Sequence, residues 1–431
     1  MKLFRNKYLI DSFVIGAALF SMFFGAGNMI FPPYLGLKAG KEWLLGFLSY
    51  YAADIGLALM AIFAQIKNRG YSKLLRPLGN RMSNIFIFAV ILCIGPIISI
   101  PRTAATTYEL SVLSLAPNFN MSLFYIIFFL AILLLCIRKS AVVDIIGKIL
   151  TPVLFIGLLF LIIRGIINPL GSIELPSRSQ SIIGDGIEAG YQSMDFLAAI
   201  IFGVFILNSA EEKGHTTQKS QARVAVGSSV VAGTGLLIIY LGLTYLGATV
   251  SSLYNMHISR TELLIGIING LLPGKIGTVF FSIIAALACI STAIAITSSA
   301  AEYFSKITKN KVRYEIFIVA ICIFGALISS LGVEQLISLA SPLLSVIYPP
   351  ILVVVVLSFI SSRINIWCIR FAAYTALLVG ILEISYLFSI NISFLEALPF
   401  YSLGFGWLLP SIIAGLTGQI LGKFLSNKER I

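Results

Sequence analysis

The sequence predicts an all-α integral membrane protein of about twelve transmembrane helices, arranged as a 5+5 inverted repeat with two extra helices. Three observations carry that prediction. Apolar runs of spanning length recur along the whole chain, basic residues favour alternate loops, and the first and sixth runs are interrupted near their middles. Of the 431 residues, 58% are hydrophobic and 11% charged. A soluble domain is about half apolar and a quarter charged, so this composition excludes one.

The runs cover residues 12–36, 43–66, 84–115, 121–137, 141–166, 186–210, 225–249, 276–304, 314–331, 336–360, 371–390 and 404–424. Most are near the roughly 20 residues that cross a hydrocarbon core, the third being long and the ninth short. With the N-terminus inside, cytoplasmic loops hold most of the basic residues, including Lys67, Arg69, Lys73, Arg76 and Arg81, then Lys306, Lys309, Lys311 and Arg313. Outside loops hold only Lys38, Lys41, Arg164, Arg178, Arg260 and Lys275. This is the positive-inside pattern, with both termini cytoplasmic. The net charge of +12 therefore reads as topology, not as a nucleic-acid surface. The N-terminal run is too long, and too polar at Asn28, for a cleaved signal peptide. The organisation expected is a first five-helix repeat over 1–166, an extracellular loop over 167–185, a second repeat over 186–362, and helices eleven and twelve with a tail over 363–431. Residues 259–272 are expected to form a short amphipathic helix outside.

In the first run, FSMFFGAGNMIFPPYLG, Gly25, Gly27, Asn28, Pro32 and Pro33 interrupt the apolar pattern. A bilayer supplies no water for free backbone groups, so a broken helix there must line a cavity or hold a ligand. The break exposes amides at Gly25, Ala26, Gly27 and Asn28, suited to an anion, and carbonyls suited to a cation. Small residues also serve close helix packing, which is the alternative reading. The sixth run carries Gln192, Ser193 and Asp195 in its first half. Asp195 reads either as a cap for the second half-helix or as a proton carrier or ammonium ligand. Leu150-Thr151-Pro152 in run five is echoed by Ala340-Ser341-Pro342 in run ten, the last helix of each half.

In run eight, Ser291 and Thr292 are adjacent hydroxyls one turn after the Ala288 carbonyl, a set that serves either a hard cation or local backbone bonding. Run three carries Pro96, Pro101, Arg102 and Glu109. Arg102 and Glu109 lie two turns apart on one face, which predicts an ion pair or a gate. Asp54, Glu302 and Glu383 are further intramembrane acids. The cysteines have no metal spacing, the two histidines lie in loops, and no phosphate-binding loop is present. An ion gradient is the remaining energy source, and no cofactor is expected. A passive channel lacks the rings of charge it needs, and a membrane enzyme lacks a catalytic constellation.

The stretches GAALFSMFFGAGNMIFPPYLGLKAG, GPIISIPRTAATTYE and KILTPVL resemble the bacterial branched-chain amino acid:cation symporter family of BrnQ-type carriers, over essentially the whole chain. That family is similar in architecture to carriers of the LeuT-like fold. The resemblance implies uptake of leucine, isoleucine and valine across the bacterial cell membrane, coupled to sodium or protons. It also implies a cation site formed by the carbonyls of Ser21, Phe24 and Ala288 with the hydroxyls of Ser291 and Thr292. For an amino acid substrate, the carboxylate is expected at the Gly25–Asn28 amides and the ammonium at carbonyls from Tyr191 through Ser193 to Met194. The apolar side chain is expected among Ile97, Ile98 and Phe196.

Overall fold

The computed structural model describes residues 2–137, 151–173, 176–388 and 392–426. Residues 141–150 of the fifth run, with Lys148 and Leu150, lie outside the described residues, as do Arg138 and Lys139. Among the described residues every regular element is helical. By length and apolar composition six helical stretches suffice to cross a membrane, or seven with one bent pair, and three shorter apolar helices accompany them. The chain is a multi-pass membrane protein. Leu123, Ile126, Ile127, Leu130 and Leu134 of Met121–Ile137 stand exposed at helical spacing, the stripe that hydrocarbon covers.

Both interrupted runs are broken where expected. The first gives α1 (Lys2–Phe23) and α2 (Ala26–Ala39), with Gly25 extended between them. The sixth gives α3 (Ile182–Ser193) and α4 (Asp195–Glu212), bent by 43°. Met194 makes that bend with φ +68°, left-handed backbone that costs a non-glycine residue about 1–2 kcal/mol. Run three breaks at Gly95–Pro96, where the backbone leaves helical geometry, and resumes as α5 (Ser99–Thr107). Run two contains a π-helical turn at Ala52–Gly56 that holds Asp54. Such bulges in membrane helices concentrate at functional positions.

Two long helices flank the breaks, α6 (Gln218–Thr249) and α7 (Lys275–Ile307). The helix expected at 259–272 forms as Arg260–Leu271, with a Ser259–Glu262 capping box. Its apolar face, Leu263, Leu264, Ile267 and Ile268, is buried in the protein, not laid on a bilayer. α2 packs on α6 at backbone distance. A Cβ added to Gly247 would lie 1.9 Å from the Pro33 carbonyl oxygen. Gly247→Ala is therefore expected to lower stability by about 1–3 kcal/mol through overpacking. Thermal unfolding in detergent reads this directly, and an unchanged midpoint would mean that the two helices separate without cost.

Candidate functional site

The break in the first run leaves the carbonyls at the end of α1 without helical partners, and α7 supplies them. Ser291 Oγ donates to Ser21 O at 3.2 Å and to Ala288 O at 2.9 Å. Thr292 Oγ1 reaches Met22 O at 3.2 Å and Phe24 O at 3.4 Å. The oxygens named from the sequence for a cation therefore fall into two adjoining contacts, Ser21 O and Ala288 O at Ser291 Oγ and Phe24 O at Thr292 Oγ1, with Met22 O added to the second. Hydroxyls and peptide oxygens of this kind suit a hard monovalent cation, and each hydroxyl can rotate its hydrogen away.

On the other side of the break, Asn28 joins the two interrupted spans. Its Nδ2 donates to Phe23 O at 2.9 Å and to Asp195 Oδ2 at 2.7 Å. The Tyr240 hydroxyl stands against the same amide and reaches Asp195 at 3.5 Å. Asp195 does not cap α4, because its carboxylate is turned toward these donors and α4 has no side-chain cap. The Arg102 guanidinium, 2% exposed, donates to Gln192 O at 2.6 Å and Ser193 O at 3.2 Å. These are the carbonyls left over where α3 ends. Tyr50 links its hydroxyl to Ser193 Oγ at 2.9 Å.

A cavity lies between these groups. Gly25, Ala26, Gly27, Asn28, Arg102, Ser193, Met194, Asp195 and Thr292 line it, together with Ile94, Ser99, Thr103, Ala198 and Ile296. It measures about 20 Å³, room for little more than one water. Side chains at Gly25 or Gly27 would fill it, since their Cβ atoms would meet Thr292 Oγ1 and Arg102 Nη2, each at 2.9 Å. A wider cavity of about 740 Å³ opens at the end of the molecule bearing Lys38 and Asp185, with Tyr191, Gln192 and Glu383 on its wall.

Several expectations need correction. Arg102 and Glu109 do not pair. A π-helical turn at Tyr108–Val112 intervenes, and Glu109 instead accepts from Thr261 Oγ1 at 2.7 Å and Val333 N at 3.0 Å. The Gln192 and Ser193 carbonyls, expected for a substrate ammonium, are taken by Arg102. Ile97 and Ile98 do not line the central cavity, because the break at Gly95–Pro96 resets the helical phase and turns Ile94, Ser99, Arg102 and Thr103 inward. Tyr191 and Phe196 lie behind the wall, packed on the Tyr348 ring at 4.4 and 5.1 Å between centroids. Glu302, for which no role was assigned, is half-exposed and paired with Lys306 at 2.8 Å. Tyr240 and Thr103 were not singled out from the sequence. Tyrosine and threonine are common in apolar runs, so only the three-dimensional contacts mark these two.

Residues 9–425 match the family model described as branched-chain amino acid transport protein. The chain is 32% identical over 435 residues to the branched-chain amino acid permease BraB of Bacillus subtilis, covering 98% of this chain and 97% of that one. Among solved structures it is similar to a Na+-coupled sialic acid symporter in a substrate-bound outward-open state. The TM-score is 0.62 at 15% identity, over 95% of this chain and 90% of the other. Mhp1, a nucleobase-cation-symport-1 family transporter in a closed conformation, gives the same TM-score and identity over 97% and 93%. At such identities the structural likeness speaks to the fold.

Proposed function

The chain belongs to the branched-chain amino acid transport protein family, and from that premise we propose that it imports leucine, isoleucine and valine by cation-coupled symport. The observation that carries this reading is one buried cavity flanked by two broken spans, with free amides on one side and a carboxylate on the other. The amides of Ala26, Gly27 and Asn28, in the first turn of α2, have no acceptor within that helix and would receive a substrate carboxylate. Asp195, not the Gln192 and Ser193 carbonyls, receives the ammonium. Ile94, Met194, Ala198 and Ile296 take the apolar side chain. Leaving a buried polar group unpaired costs roughly 1–3 kcal/mol, so polar side chains are rejected. One methylene is worth about 1–3 kcal/mol, so discrimination among leucine, isoleucine and valine is weak.

A cation among Ser21 O, Phe24 O, Ala288 O, Ser291 Oγ and Thr292 Oγ1 fixes the unwound backbone on which the substrate amides depend. Ion binding and substrate binding thereby support one another. One helix bundle rocks against the other to expose the cavity alternately to the outside and to the cytoplasm. A leucine side chain needs far more room than the cavity offers, so its walls must part on loading. Sites for small ligands usually measure about 300 Å³ or more.

Labelled leucine uptake into proteoliposomes, with sodium and pH gradients imposed independently, tests the proposal. Accumulation above the equilibrium level under an inward cation gradient is expected. Flux that only equilibrates under every gradient would make the protein a passive pathway.

A further inference from the structure

Asp54 is the one acid near the central cavity that the mechanism above does not use. It sits in the π-helical turn of run two and is fully buried, and neither carboxylate oxygen has a hydrogen-bond partner. α3 presses on that turn closely, since a Cβ on Gly190 would lie 2.9 Å from Ala53 Cβ and 3.0 Å from Asp54 N. Titratable groups from every side lie within electrostatic reach of Asp54: Tyr50 and Tyr51 on its own helix, Asp195 on α4, Arg102 on α5, Tyr240 on α6 and Tyr348 on Val333–Ser358.

This pocket holds two carboxylates against a single guanidinium. Two buried anions at close range are not both ionised when only one cation offsets them. Asp195 accepts from the Asn28 amide and the Tyr240 hydroxyl, whereas Asp54 has beside it only the Tyr50 hydroxyl, which is itself linked to Ser193 Oγ. We propose that Asp54 is a proton-binding site of the carrier, holding a proton beside ionised Asp195 while the substrate is loaded, and that this proton crosses the membrane with the substrate. The inference rests on the carrier reading and deepens its account of the coupling ion.

The proton would reach this pocket from the wide cavity, whose wall Tyr191 and Gln192 help to form; the Tyr191 ring stacks on Tyr348 at 4.4 Å, and Tyr348 and Asp54 lie within electrostatic reach of one another. The proton comes from a hydronium ion in the outer water. It forms one O–H bond at Asp54, which breaks again when the cavity opens to the cytoplasm. No other bond changes.

The test uses proteoliposomes with equal sodium inside and outside, so that the cation site can fill and no sodium gradient drives uptake. The wild type is expected to exchange external labelled leucine for internal leucine and to accumulate leucine under an acid-outside gradient. Asp54→Asn is expected to keep exchange at the wild-type rate and to lose gradient-driven accumulation. Accumulation retained in Asp54→Asn, or absent in a wild type that exchanges leucine, would overturn the proton site and leave the carrier intact. No leucine exchange by the wild type would instead remove the carrier reading, and the coupling inference with it. Should Asp54→Asn fail to exchange, infrared spectra of purified wild type and Asp54→Glu decide. A protonated carboxyl band that shifts in Asp54→Glu supports the site, and one that is absent or unmoved overturns it.

Discussion

Arg102→Ala is expected to abolish leucine uptake and to lower the thermal midpoint of the purified protein. The guanidinium closes two separate deficits at once. It satisfies the Gln192 and Ser193 carbonyls where α3 stops, and it is the positive charge facing both Asp195 and Asp54. Removing one partner of a buried charge cluster typically costs about 3–5 kcal/mol, because the other charges stay behind without compensation. Arg102→Lys keeps the charge but not the planar fork that spans two carbonyls, so it should recover part of the stability and little of the transport. Uptake in proteoliposomes and unfolding in detergent would be measured side by side. A variant with wild-type values for both would show that the bend at Met194 stands without Arg102.

Ser291→Ala combined with Thr292→Ala is expected to remove sodium stimulation of uptake altogether. Each substitution deletes an oxygen from the candidate cation site, and each leaves α1 carbonyls without a donor. Since a lost hydrogen bond of this kind is worth about 1 kcal/mol, the double variant should remain folded. Uptake measured against sodium concentration separates the outcomes. Undiminished sodium dependence in the double variant would place the ion elsewhere.

How much of this was legible in the sequence depended on whether the signal was local. The break at Gly25 could be read because glycine, asparagine and proline together are incompatible with an unbroken apolar helix. The oxygens on α7 could be read because adjacent hydroxyls one turn past a carbonyl share one face. The partner of Arg102 could not be read, because Glu109 seven residues away is the only acid at helical spacing, while the carbonyls it binds lie ninety residues away in sequence. The misplaced apolar pocket has a similar cause. Pro96 announced a bend, but a bend does not reveal how far the next helix is rotated, and that rotation replaced Ile97 and Ile98 with Ile94 and Thr103. Met194 gave no signal at all, since methionine has no preference for positive φ.

Asn28 grips the end of α1 through Phe23 O and the start of α4 through Asp195 with a single amide group. The two discontinuous spans are thereby geared together like meshed teeth. A tilt of α1 that opens the inner mouth must drag α4 along or strip the amide from one of its acceptors. Motion in one interrupted span is thus transmitted to the other through a side chain smaller than either helix turn.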